Sequence, residues 1–139
     1  MPADSFDRTI MSEITRIRDI SSDLDRVMRS QGFPEDDILD TQLAVEEAIT
    51  NIILHGYQNA LGEITVSGRA ADGLVEVRLE DRAGPFDPLS LPEPDLTGSV
   101  EERKIGGLGI VLIRRVMDAI QYHYEEGKNI LVLTKRKTT

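Results

Sequence analysis

Two hairpin signatures separated by a helix constrain this chain more than any other feature. Residues 63–70 and 74–81 alternate apolar and polar side chains and are joined by Ala71-Asp72-Gly73. Residues 121–125 and 129–135 repeat the arrangement around Glu126-Gly127-Lys128. A period of two, broken by an acidic residue before glycine, predicts antiparallel strand pairs joined by tight turns. A further strand is expected at residues 6–11, ahead of two helices. The order strand, helix, helix, hairpin, irregular stretch, helix, hairpin lacks the regular alternation of a doubly wound fold. It predicts an α/β (α+β) two-layer sandwich, with a sheet covered on one face by three helices. The 139 residues show no internal repeat and no linker, so residues 1–139 are expected to form a single domain.

The helices follow from apolar spacing. Ile14, Ile17, Ile20, Leu24, Val27 and Met28 recur at helical intervals after Ser12-Glu13, and Gly32 ends the run. Pro34 then sits in a first turn followed by Glu35, Asp36 and Asp37, where negative charge suits the helix dipole. This second helix is expected to reach about His55, with Gly56 as its stop. A third begins after Gly106-Gly107-Leu108-Gly109 and carries Ile110, Ile113, Val116, Met117 and Ile120 on its apolar side. Residues 82–105 hold Pro85, Pro88, Pro92, Pro94 and Gly98 and little pattern, and a long irregular stretch inside a small domain is usually functional.

Composition removes several classes of chemistry. Without cysteine there is no disulfide scaffold, thiol nucleophile or cysteine zinc site. No apolar run approaches the roughly 20 residues of a membrane span, and residues 1–5 lack the basic-then-apolar order of a signal peptide. A cytoplasmic protein without a membrane partner is expected. The formal charge of -9 argues against direct nucleic-acid binding, which depends on neutralising phosphates. An acidic protein that binds a phosphorylated ligand needs a local device, such as Mg²⁺ or a helix N-terminus.

Such a device can be read from the second helix. Glu47, Asn51 and His55 are spaced i, i+4, i+8 and project from one face, with Ile49, Ile52 and Ile53 beside them. A solvated helix face is the ordinary account of such a stripe, but the apolar flanks favour a cleft. Mg²⁺ takes hard oxygen ligands and shares its shell with phosphates. Asn51 offers a neutral amide oxygen, and Glu47, one turn earlier, can act as general base on an incoming hydroxyl. Glu46 points about 100° away. Asp81, at the end of a strand, can accept a hydrogen bond from an amino group such as that of adenine. The glycines at 106, 107 and 109 let the backbone approach an anion at the start of a helix, with Arg103 and Lys104 as candidate phosphate contacts. No Gly-Lys-Ser/Thr follows, so this is not a P-loop. Residues 82–104 would then close over the ligand.

Three motifs in this order resemble the ATPase superfamily shared by gyrase, Hsp90, histidine kinases and MutL. Glu46-Glu47-Ala48-Ile49-Thr50-Asn51 looks like its N box, Asp81-Arg82-Ala83-Gly84-Pro85-Phe86-Asp87-Pro88 like its first glycine box, and Gly107-Leu108-Gly109-Ile110 like its second. The closer resemblance is to the bacterial anti-sigma factor serine/threonine kinases. It rests on residues 43–51 through His55-Gly56-Tyr57, and on residues 106–110 through Ile113-Arg114-Arg115-Val116-Met117-Asp118. One departure is Ala83, where the first glycine box usually has glycine.

The resemblance implies a Bergerat-type ATP-binding fold with a mixed, mostly antiparallel sheet, binding Mg-ATP beneath a lid. Glu47 would be the base, Asn51 would hold Mg²⁺ and Asp81 would recognise adenine. Gly84, Lys104, Gly106, Gly107, Leu108, Gly109 and Asn129 would complete the nucleotide site. It further implies that the family phosphorylates a serine or threonine of a STAS-type anti-anti-sigma partner, and that this partner and a sigma factor compete for the kinase. A homodimer is also expected, with the first helix and Arg16 and Arg18 as candidate surfaces. The competing readings are a non-catalytic module that uses ATP to set partner affinity, and the ATP-binding part of a histidine kinase.

Overall fold

The computed structural model describes residues 2–90 and 108–138. Both hairpins close as the sequence predicts. Asp72 and Gly73 take φ of 53° and 76°, and Glu126 and Gly127 take 52° and 79°. Two consecutive positive φ angles make two-residue turns whose twist matches the flanking strands. Ala71 and Lys128 consequently belong to strands rather than turns. The first hairpin is β2 (Glu63–Ala71) and β3 (Leu74–Asp81), and the second is β4 (Ala119–Glu125) and β5 (Lys128–Arg136). With β1 (Asp4–Met11) they form one sheet in the order β1-β2-β3-β5-β4. All four pairings are antiparallel, so the mixed component expected of the sheet is absent among the described residues.

Alternation decides which face of the sheet is covered. Ile64, Val66, Ala70, Val75, Val77, Leu79, Leu131 and Leu133 are buried in the core, while Glu76, Arg69 and Arg78 face solvent on the other side. Gly68 is opposite Phe6, and a Cβ there would lie 2.3 Å from the Phe6 ring, so the glycine makes room for the aromatic edge of the core.

Three α-helices cover the inner face among the described residues. In α1 (Ile17–Ser30), Ile17, Ile20, Leu24, Val27 and Met28 form one buried stripe, as their spacing predicts. Full burial of each such side chain contributes roughly 1.5–3 kcal/mol before entropy is counted. Ile14 departs from the expectation. It lies in a 3₁₀ turn (Ile14–Arg16) ahead of α1 and is 62% exposed, because the tighter winding takes it off the stripe.

α2 (Glu35–Asn51) packs against both α1 and α3 (Leu108–Val116). Its beginning is fastened by a buried carboxylate. Asp37 accepts hydrogen bonds from the Thr138 N–H at 2.9 Å and from the Thr138 hydroxyl at 3.0 Å, which joins the end of the sheet to the first helical turn. We expect Asp37→Ala to lower stability by about 1–3 kcal/mol. Urea denaturation checks this, and an unchanged midpoint would show that the latch adds nothing.

The other end of α2 corrects the expected helix to His55. Regular α-helix stops at Asn51 and a π turn (Ile52–Gly56) follows, with the Tyr57 N–H bonded to the Ile52 carbonyl at 2.8 Å. α3 is also shorter than expected. Met117 lies just beyond it and Ile120 belongs to β4, because the Asp118 N–H pairs with the Thr134 carbonyl and draws the chain into the sheet. Lys135, buried within the core edge, donates to the Val116 carbonyl at 2.7 Å and closes the end of α3.

Candidate functional site

The register of the sheet decides which polar groups meet. Asp81, the last residue of β3, is the direct partner of Asn129 in β5, and both side chains are buried on the helix-covered face. Asn129 Nδ2 donates to Asp81 Oδ1 at 2.9 Å and to the Gly84 carbonyl at 2.6 Å. Its Oδ1 accepts from the Phe86 N–H at 3.0 Å and from the Tyr122 hydroxyl. The Ala83 N–H also donates to Asp81 Oδ1, at 3.0 Å. Burial pushes the Asp81 carboxyl above its ordinary range, opposed by the Ala83 N–H and the Asn129 amide.

These groups floor a small cavity. Its walls come from Ala48, Asn51 and Ile52 on the helix side, Phe86 and Pro88 from the segment after β3, Ile110 from α3, and Tyr122 and Leu131 from the sheet. The Asn51 side-chain Nδ2 is fully buried and has no hydrogen-bond partner among the described residues. A buried donor without a partner costs about 1–3 kcal/mol, so it needs a reason to be there. The cavity measures about 20 Å³, against roughly 300–1,000 Å³ for a ligand pocket. Phe86 and Pro88 lie close over the polar floor, and Phe86 stacks on His55 with ring centroids 6.0 Å apart. His55 therefore does not continue the Glu47–Asn51 stripe. The wide π turn carries it round to Phe86.

Glu47 opens elsewhere. It lines a broad groove of about 880 Å³ between the first 3₁₀ turn, α1 and α2, together with Ile14, Arg18, Ser21, Gln42, Glu46 and Thr50. Burial pushes its carboxyl above the usual glutamate range, and the Glu46 carboxylate pushes it further the same way. α2 thus presents Asn51 to the inner cavity and Glu47 to the outer groove from adjacent turns.

Of the residues expected at the site, Asn51, Asp81 and Asn129 meet in the cavity, and Gly84 is tied to Asn129 through its carbonyl. Leu108 and Gly109 open α3, whose Ile110 reaches the cavity wall. Arg103, Lys104, Gly106, Gly107 and most of the expected lid lie outside the described residues. Tyr122 was not anticipated. The available signal is its place in the alternating series of β4 (Ile120, Tyr122, Tyr124) whose members pair with Leu133, Leu131 and Asn129.

A family profile described as the histidine kinase-like ATPase domain matches residues 10–135. The serine-protein kinase RsbW of Bacillus cereus strain G9842 is 36% identical over 110 residues, covering 76% of this chain and 69% of that protein. That of Bacillus anthracis strain CDC 684 is 34% identical over the same length. Among solved structures, the RsbU and RsbW domains of a Mycobacterium tuberculosis protein superpose with a TM-score of 0.70 at 22% identity. They cover 99% of this chain, which spans 34% of that longer one. The SiaB-SiaC complex from Pseudomonas aeruginosa gives a TM-score of 0.57 at 17% identity, over 94% of this chain and 88% of that one.

Proposed function

The chain belongs to the histidine kinase-like ATPase domain family, on the branch of the RsbW anti-sigma serine kinases, and from that premise we propose an ATP-dependent serine/threonine kinase that phosphorylates a STAS-type anti-anti-sigma partner. The observation that carries the reading is the division made by α2. Asn51, Asp81 and the start of α3 surround one cavity, while Glu47 faces a separate groove wide enough for a protein segment. A donor nucleotide and an acceptor hydroxyl can therefore approach the same helix from different sides.

In this reading residues 1–139 act as one kinase domain. ATP binds with its base at Asp81 and its phosphates toward the glycines at 106, 107 and 109, with Lys104 beside them. Asp81 accepts from the adenine amino group. The unsatisfied Asn51 Nδ2 suits a site completed by a ligand oxygen, and Asn51 would hold Mg²⁺ through its amide oxygen, the metal when bound offsetting the charge of the transferring phosphoryl group. Glu47 orients the acceptor hydroxyl and takes its proton as the oxygen–phosphorus bond forms and ADP leaves. Since Asn129 pins the Phe86 backbone, room for the base comes from rotation of the Phe86 side chain off His55.

Partner contacts are assigned to the first helix and the 3₁₀ turn that leads into it. Arg8, Arg26 and Arg29 are engaged by Asp23, Asp4 and the Asp25–Glu35 pair, whereas Arg16 and Arg18 are exposed and outside every ion pair among the described residues. A sigma factor and a second copy of the chain are the partners proposed there. No described helix is long and apolar enough to cross a membrane, and we place the protein in the cytoplasm. Incubation with γ-labelled ATP, Mg²⁺ and a STAS protein recovered with the chain should transfer label to a serine or threonine. ATP-dependent capture without label on the partner would instead identify a binding module.

A further inference from the structure

The polar floor of the cavity contains a residue whose hydrogen-bonding capacity is used up. A side-chain amide has two donor hydrogens and two acceptor lone pairs. In Asn129 the donors go to Asp81 Oδ1 and the Gly84 carbonyl, and the acceptors are taken by the Phe86 N–H and the Tyr122 hydroxyl. Nothing is left to contact a ligand directly. The Phe86 N–H also reaches the Tyr122 oxygen, at 3.3 Å, so the hydroxyl hydrogen is directed to Asn129. Two donors thus converge on Asn129 Oδ1, and a flipped amide would set its oxygen against the Asp81 carboxylate.

The consequence falls on Asp81. Its Oδ1 receives both the Ala83 N–H and the Asn129 amide, while Oδ2 accepts no hydrogen bond from any described residue. The two carboxylate oxygens are therefore not equivalent: one is anchored to the protein and the other is left to a ligand. An unprotonated oxygen held in this way accepts from an amino group and repels a carbonyl.

We propose that Tyr122 is a positioning residue that, by orienting Asn129, fixes the free oxygen of Asp81 and so sets the preference for a purine bearing an amino group over one bearing a carbonyl at the same position. The proposal rests on the reading above that Asp81 meets the base, and adds to it the residue that makes the meeting selective. Burial keeps the Tyr122 phenol above its ordinary range, so the hydroxyl stays a donor at neutral pH.

The test compares the affinity of the full chain for ATP and for inosine triphosphate, which carries a carbonyl in place of the amino group. The unaltered chain should prefer ATP; equal affinities would overturn the role of Asp81 itself. Given that preference, Tyr122→Phe keeps the ring and removes the hydroxyl, and should cut the ATP-to-inosine triphosphate ratio about fivefold, the effect of one hydrogen bond. A merely structural role would weaken both nucleotides together and leave the ratio intact, which would overturn the proposal while Asp81 keeps its role. Urea denaturation checks that the variant folds. Should it not, Asn129→Ser, which removes the amide that Tyr122 orients, must lower the same ratio, and an unchanged ratio there overturns the proposal equally.

Discussion

Glu47→Ala is expected to lower phosphoryl transfer by about 10²–10⁴-fold, the usual contribution of a positioned general base, while ATP affinity stays nearly unchanged. The separation follows from geometry. Glu47 lines the outer groove and is absent from the cavity that holds Asn51, Asp81 and Asn129. Transfer to the STAS partner and nucleotide binding by calorimetry measure the two effects independently. Retained transfer would remove Glu47 from the role of base. The protonation state supplies a second readout. The Glu47 carboxyl is raised first by burial and then by Glu46. A base must be ionised, so activity should be lost as pH falls through this raised value, above the range of an ordinary glutamate. Glu46→Gln removes the lesser cause and should move that acid limb part of the way to lower pH. An acid limb that does not move would mean that another group titrates.

The second large effect belongs to Asn51→Ala. Loss of a polar contact to a charged ligand weakens binding by about 10–100-fold, and this should appear for ATP in Mg²⁺ and largely vanish when the metal is chelated. Equal losses with and without metal would place Asn51 on the nucleotide rather than on Mg²⁺. The same substitution removes a buried donor that has no partner among the described residues. Stability of the nucleotide-free protein should therefore fall less than for an ordinary buried truncation, and thermal melting tests this. A position that costs the fold something while serving the ligand is a common mark of a functional residue.

Much of this arrangement is legible in the sequence where local rules act alone. The Asp72-Gly73 and Glu126-Gly127 turns specify their hairpins, and the α1 stripe from Ile17 to Met28 specifies its buried face. Asp81 and Asn129 can each be named from sequence, one from its strand end and the other from resemblance. That they face each other depends on the β3–β5 pairing, which joins residues 48 positions apart and leaves no local trace. Tyr122 lies in the legible β4–β5 hairpin, but its role exists only once that hairpin lies beside β3 and Asn129 meets Asp81. Ile14, Met117 and Ile120 show the opposite limit. They fit a helical period, but 3₁₀ winding removes the first, α3 ends before the second, and the sheet claims the third.

The π turn after Asn51 has a consequence for how this region can change. One extra residue per turn offsets everything downstream by about 100°, so the stack of His55 on Phe86 and the hydroxyl of Tyr57, which donates to the Glu63 carbonyl and accepts from the Arg82 N–H, depend on a shared phase. Point substitutions can disturb these contacts one at a time. A single-residue deletion within Ile52–Gly56 would rotate both aromatic groups away together, while leaving Asn51 in place. Chain length over these five positions is therefore a constraint in its own right, separate from which side chains occupy them.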